Sequence, residues 1–163
     1  MELSFEQKEE LGLKYVLDLL EPVCPYGVKR LRAEGFYSPA DSAALEQELE
    51  NVDVLRAALD TVPEQVQRLR HALSALKDVS GSLANCRTGA LTEVELFELT
   101  AFALRLQAIR PLAECLPGYA KLTGVYFAPV EGALSVLDPT GSGRLSFFVE
   151  DARTPARLAL RRE

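Results

Sequence analysis

Apolar residues recur at helical spacing along most of the chain. The clearest run lies between residues 45 and 59, where large aliphatic side chains fall three and four positions apart and so share one face of a helix. Pro63 follows this run, and the same period then continues to residue 76. The pattern predicts a helical hairpin or a long kinked arm, with its break at Pro63. The residues concerned are Leu45, Leu49, Val52, Leu55 and Leu59, then Val66, Leu69, Leu73 and Leu76.

The first forty residues carry three signals for the start of a helix. A capping box, a proline at the first helical position, and a serine cap followed by proline and aspartate are each typical of such starts. The first helix is expected to run through the apolar residues 11–20 and to end at Pro22, and the second to end at Gly35. The signals are Ser4 with Gln7, then Pro25, then Ser38 with Pro39 and Asp41.

The second half of the chain predicts one long helix followed by shorter elements. Thr92 is the expected cap of a helix that runs to about Leu116, and its apolar residues surround most of the cylinder, so it should be central and buried. Pro117-Gly118 should end it. Three further elements are predicted: a short helix or turn over Val130–Leu137, a strand over Arg144–Val149, and a last helix over Pro155–Arg162, capped by Thr154.

These elements predict a mainly α protein, a helical bundle of long amphipathic helices with a short β-strand or hairpin near the C-terminus. A length of 163 residues fits a single domain. Within it we expect N-terminal helices and an arm over 1–78, a linker over 79–90, and a central helix, turn, strand and last helix over 91–163. The last helix has no stop signal, so we expect a fragment of a longer chain.

The charge of the chain argues against tight binding to nucleic acid by this segment alone. The net charge is −6, and no basic stripe long enough to neutralise many phosphates is visible. The sequence shows neither a signal peptide nor an apolar run as long as a membrane span, so we expect a cytoplasmic chain with no membrane partner. Cys24, Cys86 and Cys115 form no CxxC pair, and we expect reduced thiols, each buried or half-buried.

The segment Asp138–Val149 nearly spells a calcium-binding loop. The template needs oxygen ligands at loop positions 1, 3, 5 and 9, a glycine at position 6 and a glutamate at position 12. Position 12 is Val149, and only Asp138 would bring a charged ligand, so we expect a glycine-rich turn that leads into the strand. A calcium sensor stays open as a remote alternative. The residues that match are Asp138, Thr140, Ser142, Gly143 and Ser146.

Residues able to perform catalysis are scarce. His71 is the only histidine, and it falls on the solvated side of its helix with no second zinc ligand nearby. Gly141-Ser142-Gly143 lacks the lysine of a phosphate-binding loop. We therefore predict no catalytic, cofactor-binding or metal-binding residues and no enzymatic activity within this segment.

Charged helix faces are the remaining candidates for a site. Glu46, Glu48, Glu50 and Asp53 are interpreted as a solvated face. Arg68, Arg70 and Lys77 could contact phosphate, but a solvated helix face is the favoured interpretation, so the DNA-binding residues stay unknown.

Three passages resemble the helical core of MutS-type mismatch-repair ATPases and their divergent relatives. The most specific is Leu76-Lys-Asp78-Val-Ser-Gly81-Ser-Leu83 together with Gly89-Ala-Leu91-Thr-Glu93-Val-Glu95-Leu-Phe97-Glu98-Leu99. The tail is similar too, with Val136-Leu137-Asp138-Pro139-Thr140-Gly141, then Phe147-Phe148-Val149-Glu150-Asp151, then Thr154 to Arg157. The front half, including Leu17–Leu20 and Pro25-Tyr26-Gly27, fits more loosely.

This resemblance implies a non-catalytic core segment that couples an ATPase domain to DNA-holding elements. It further implies a full-length homodimer on duplex DNA, with ATP and magnesium bound in a C-terminal domain beyond these residues. The family's Walker loop, magnesium ligands and signature residues have no counterparts here, and Glu95-Leu-Phe97-Glu98 is interpreted as helical core rather than as a mismatch-reading motif. The alternative is a stand-alone helical scaffold that binds another protein through its leucine face or the Phe147–Phe148 strand edge.

Overall fold

The computed structural model describes residues 5–33, 37–87, 89–143 and 145, and these are mainly helical. Single 3₁₀ turns lie at Pro39–Asp41 and Tyr119–Lys121. The helices are α1 Phe5–Glu10, α2 Leu13–Leu19, α3 Pro25–Ala33, α4 Ser42–Thr61, α5 Pro63–Ser74, α6 Ser80–Asn85, α7 Glu93–Glu114 and α8 Glu131–Leu137.

Most predicted helix boundaries are confirmed. Proline begins α3 and α5 as expected, and Val62, with φ −136° and ψ 57°, separates α4 from α5. The first predicted helix is instead two helices, because Gly12 adopts φ 67° and separates α1 from α2. A positive φ is open to glycine at little cost, so the chain can turn there despite the apolar residues on either side.

Several predicted features lie outside the described residues. Ser4, the predicted helix end at Gly35 and the last helix, Pro155–Arg162, fall there, and so does the strand over Arg144–Val149 apart from Leu145. Within residues 5–33, 37–87, 89–143 and 145 no β-strand is present. Over the same residues, none of the helices is long and apolar enough to cross a membrane.

Contacts divide the chain into two compact units. Unit 1 consists of Met1–Ala75 with Leu112–Val125, and unit 2 consists of Leu76–Pro111 with Tyr126–Glu163. The single domain predicted from the sequence remains a prediction. The predicted linker, 79–90, lies in unit 2 and includes α6, with Val79 and Ser82 buried.

In unit 2, α7 carries the predicted apolar surface. Every residue from 95 through 106 is buried or half-buried, and Ile109 is fully buried. Val94 is the exception among the predicted apolar positions, since 55% of its surface is exposed. Thr92 caps the helix as predicted, because the Glu95 backbone N–H donates to its Oγ1 at 3.2 Å and the Glu95 carboxylate accepts from the Thr92 N–H at 2.8 Å.

Candidate functional site

Helix α4 presents its large aliphatic side chains to solvent. Each of the five residues of the predicted leucine face keeps between 38% and 57% of its surface exposed. Spacings of four, three, three and four residues place them along one side of the helix, given about 100° of rotation per residue. We call this surface the apolar stripe; its residues are Leu45, Leu49, Val52, Leu55 and Leu59.

A different face of α4 packs within unit 1. Asn51 and Ala58 are buried, with 6% and 1% of their surface exposed, and Val54 between them is half-buried. The packing partner is the 3₁₀ turn Tyr119–Lys121 and the residues beside it. On α4 itself, small or polar side chains therefore occupy the buried face, and the five large aliphatic ones do not.

Two local features hold this face against its partner. The Asn51 amide donates to the Thr123 carbonyl at 3.0 Å and accepts from the Thr123 N–H at 2.9 Å, so one side chain satisfies both backbone groups. Gly118 has φ 80°, and a Cβ built on it would lie 2.9 Å from Val54 Cγ1. The backbone after α7 thus approaches α4 too closely for a side chain at position 118.

A third face of α4 is acidic. Glu46, Glu50, Asp53 and Asp60 are exposed and lie four, three and seven residues apart, so they share one side of the helix, next to the apolar stripe. Five carboxylates and one arginine give α4 a net charge of −4. Arg56, the one basic residue of α4, is paired with Asp53 at 3.2 Å.

The loop after α8 is organised by the carboxylate of Asp138. Its oxygens accept from the Gly143 N–H at 2.7 Å, the Ser142 N–H at 3.1 Å and the hydroxyls of Thr140 and Ser142 at 3.1 and 3.2 Å. The Gly143 N–H is the largest cause of the lowered pKa of Asp138, which outweighs the opposing effect of burial. The prediction of a glycine-rich turn positioned by Asp138-Pro139 is therefore supported, and the turn depends on a charged acceptor.

This geometry argues against a calcium site. Four protein donors already point at the one carboxylate of the loop, so a cation there would face N–H and O–H groups rather than free oxygens. Ser146 and Val149 lie outside the described residues. In the part of the chain that the structure covers, no three histidine, cysteine, aspartate or glutamate side chains are grouped so that they could hold a metal ion.

An open groove of about 400 Å³ lies beside the Asp138 loop in unit 2. Its lining includes Leu104, Gln107, Glu131 and Leu134 as well as Asp138. The lining of the groove is partly apolar and partly polar. The buried carboxylate of Asp138 already accepts hydrogen bonds from the loop.

The other candidate residues are exposed to solvent. His71 is exposed in α5, as predicted. Arg68 and Arg70 are exposed on α5, whereas Lys77 belongs to unit 2 and pairs with Glu98 at 3.7 Å.

The prediction for the cysteines is correct only in part. All three are free thiols, and Cys24 is half-buried. Cys86 and Cys115 are exposed instead of buried or half-buried, since each lies in a turn just after the last residue of a helix.

Glu95 has a structural role that its position in the helical pattern does not reveal. Besides the Thr92 backbone and hydroxyl, its carboxylate accepts from the Asn85 amide at 2.6 Å. The Thr92 N–H is the largest cause of its lowered pKa. The side chain therefore joins the end of α6 to the start of α7 and acts as a cap.

Comparisons of this chain with known proteins found no relative. No protein-family model matches the chain, and neither a curated protein nor a solved structure was found to match it.

Proposed function

We propose that this chain is a non-catalytic helical core segment of a MutS-like DNA mismatch-repair ATPase. One observation carries the proposal. Described residues of the passages at 76–83, 89–99 and 136–141 supply buried side chains and turn contacts in unit 2, as expected for a segment whose pattern specifies architecture rather than chemistry.

The passage from Leu76 to Leu83 supplies both a cap and buried contacts. Asp78 accepts from the Ser80 N–H at 3.0 Å and from its hydroxyl at 2.6 Å, which stabilises the first turn of α6. Leu76, Val79 and Ser82 are buried. The pattern Leu-Lys-Asp-Val-Ser-Gly-Ser is thus accounted for by the start of a packed helix.

The other passages play comparable parts. Glu95 holds the Thr92 cap and Leu99 is buried in α7. In the tail, Asp138 is buried and organises the turn that follows α8. These are structural uses of the same residues on which the family resemblance depends.

In this proposal the role of the segment is mechanical. The ATPase, with its ATP and magnesium, belongs to a C-terminal domain of the full-length protein, which acts in the cytoplasm as a homodimer on duplex DNA. The segment would transmit nucleotide-dependent change through packed helices to DNA-holding parts. Such transmission needs stiff elements with discrete arrangements, and capped helices such as α7 meet the first requirement.

Sequencing the gene beyond Glu163 tests the proposal. The expected result is an ATPase domain with a Walker loop in the same reading frame; a stop codon or an unrelated domain would refute it. The full-length protein should hydrolyse ATP at a rate that duplex DNA changes. Asp78→Ala should reduce the change in hydrolysis rate that DNA causes, because it weakens α6. The rate of ATP hydrolysis in the absence of DNA should stay the same, because the ATPase domain is not altered. Glu131→Ala, an exposed change in the same unit, serves as the control.

A second candidate function is a stand-alone scaffold that binds protein, and the exposed apolar stripe of α4 favours it. Five large aliphatic side chains along one helix face are unusual on a solvated surface and are typical of a contact surface. Chromatography with light scattering tests this candidate. Binding of another protein that Leu49→Gln with Val52→Gln abolishes would support it, and the absence of any complex, from a gene that ends at Glu163, would contradict it.

A further inference from the structure

We infer that the apolar stripe of α4 binds an amphipathic helix whose own apolar face is flanked by lysine and arginine. The inference rests on the second candidate function, binding of protein through α4, and adds the chemistry of the partner.

The shape of the stripe fits a helix. From Leu45 to Leu59 the stripe extends over about 21 Å, at 1.5 Å for each residue. Its side chains recur at the spacing by which one helix packs its apolar ridge along another. A partner of about four turns would cover all five residues.

The charge beside the stripe selects a basic partner. The acidic face, Glu46, Glu50, Asp53 and Asp60, runs along one edge of the stripe, and α4 as a whole carries a net charge of −4. Lysine or arginine at the edge of a docked helix would meet these carboxylates, and such complementarity directs partner choice.

The same charge disfavours a second copy of this chain. Two α4 helices packed antiparallel about a twofold axis would place their acidic edges on the same side, with like charges facing each other. Eight carboxylates, four from the acidic face of each copy, would then lie together with only two arginines nearby. A basic helix of a different sequence avoids this repulsion.

The stripe is also held rigid before a partner arrives. Asn51 and Gly118 fix the opposite side of α4 to its own unit, so binding needs no ordering of the helix itself. A preformed surface loses less conformational entropy on association.

Three synthetic helical peptides of about 18 residues test the inference by fluorescence anisotropy against the 1–163 chain. The first has an apolar stripe flanked by lysine and arginine. The second keeps the stripe and replaces the basic residues by glutamate. The third keeps the basic residues and scrambles the stripe. We expect the first to bind most tightly, and to weaken as salt rises from about 0.1 to about 1 M, where screening shortens the range of charge interactions from about 10 to about 3 Å.

Two double variants of α4, with a third on α1 as the control, assign the binding to α4. Leu49→Gln with Val52→Gln should weaken binding of the basic peptide at least about tenfold, since both side chains are more than half exposed and lose apolar burial only in the complex. Glu46→Lys with Glu50→Lys should weaken it about tenfold and strengthen binding of the acidic peptide. Glu6→Lys with Glu10→Lys changes the net charge equally on α1 and should leave binding unchanged. Circular dichroism confirms that each variant is folded.

The outcomes separate the inference from the scaffold function. If the acidic peptide binds as tightly as the basic one, and the stripe variant abolishes both, the proposed partner chemistry is wrong and the scaffold function stands. If light scattering shows a dimer that the stripe variant dissociates, the occupant is a second copy and the inference is overturned. If no peptide binds and the stripe variant behaves as wild type in every assay, both proposals fail.

Discussion

Replacing Asn51 by alanine tests the contact that fixes α4 within unit 1. The change removes two hydrogen bonds, to the N–H and the carbonyl of Thr123. At about 1 kcal/mol each, their loss costs about 2 kcal/mol of the free energy of unfolding. Alanine is the better helix former by about 0.6 kcal/mol and offsets part of this loss. The net destabilisation is therefore about 1.5 kcal/mol, which corresponds to about 3–6 °C in the melting temperature.

Urea denaturation followed by far-ultraviolet circular dichroism measures this change. Glu46→Ala, an exposed substitution on the same helix, is the control and should stay within about 0.5 kcal/mol of wild type. If Asn51→Ala matches or exceeds the stability of wild type, the amide pair contributes nothing and the reasoning is refuted.

A second variant, Asn51→Asp, tests the same contact between residue 51 and Thr123. The new carboxylate can accept from the Thr123 N–H but would oppose the Thr123 carbonyl, and it adds charge to an already acidic helix. At neutral pH this variant should therefore be less stable than Asn51→Ala. The difference in free energy of unfolding between this variant and wild type should shrink as the pH falls through the range where the carboxyl takes up a proton. The protonated group can then donate to the Thr123 carbonyl as the amide does.

Three further predictions concern the turns and the core. Gly118→Ala should lower the free energy of unfolding by more than about 1 kcal/mol, because φ 80° strains alanine and its Cβ meets Val54; calorimetry should show partial recovery when Val54→Ala is added, and full additivity would contradict the clash. Ile109→Ala should cost about 2–5 kcal/mol in urea denaturation and Ile109→Val only about 0.5–1.5, since the side chain is fully buried; equal costs would contradict this packing. The pKa of Asp138 is lowered in the fold, so its stabilisation is present above the ordinary pKa and is lost as the pH falls below about 4 through the folded value. The stability difference between wild type and Asp138→Asn should therefore narrow over that range, and a difference independent of pH would contradict it.

The sequence predicted the helices well because their signals are local. Proline at the start of α3 and α5 and the Thr92 cap of α7 act within a single turn of helix, so they can be recognised without knowledge of the fold. The division of the first helix was missed, because Gly12 looks like an ordinary interior glycine until its φ is known.

The surface of α4 could not be predicted from its own sequence. Periodicity identifies an apolar face but does not say whether that face is buried, and the structure turns the stripe toward solvent. The buried face was set by the close approach of Gly118 and by the pairing of Asn51 with Thr123, a residue 72 positions away. No local pattern encodes a contact over that distance.

The Asp138 turn was predicted from the sequence only in part. The sequence identified the bend and the missing calcium ligand, but the hydrogen bonds to the carboxylate depend on the backbone conformation of Ser142 and Gly143. The contacts that hold the turn are therefore visible only in three dimensions.

The order of the two units along the chain has a consequence for synthesis and folding. Unit 1 takes residues from both sides of a segment that belongs to unit 2. During translation, α4 emerges long before Thr123, so the Asn51 pair cannot form until the intervening residues have left the ribosome. Contacts of such long sequence separation slow folding, and a nascent chain that ends near residue 75 would still lack the partner of its longest helix. Neither unit can be isolated by a single truncation, and a shortened protein meant to carry unit 1 alone would have to join residue 75 to residue 112 directly.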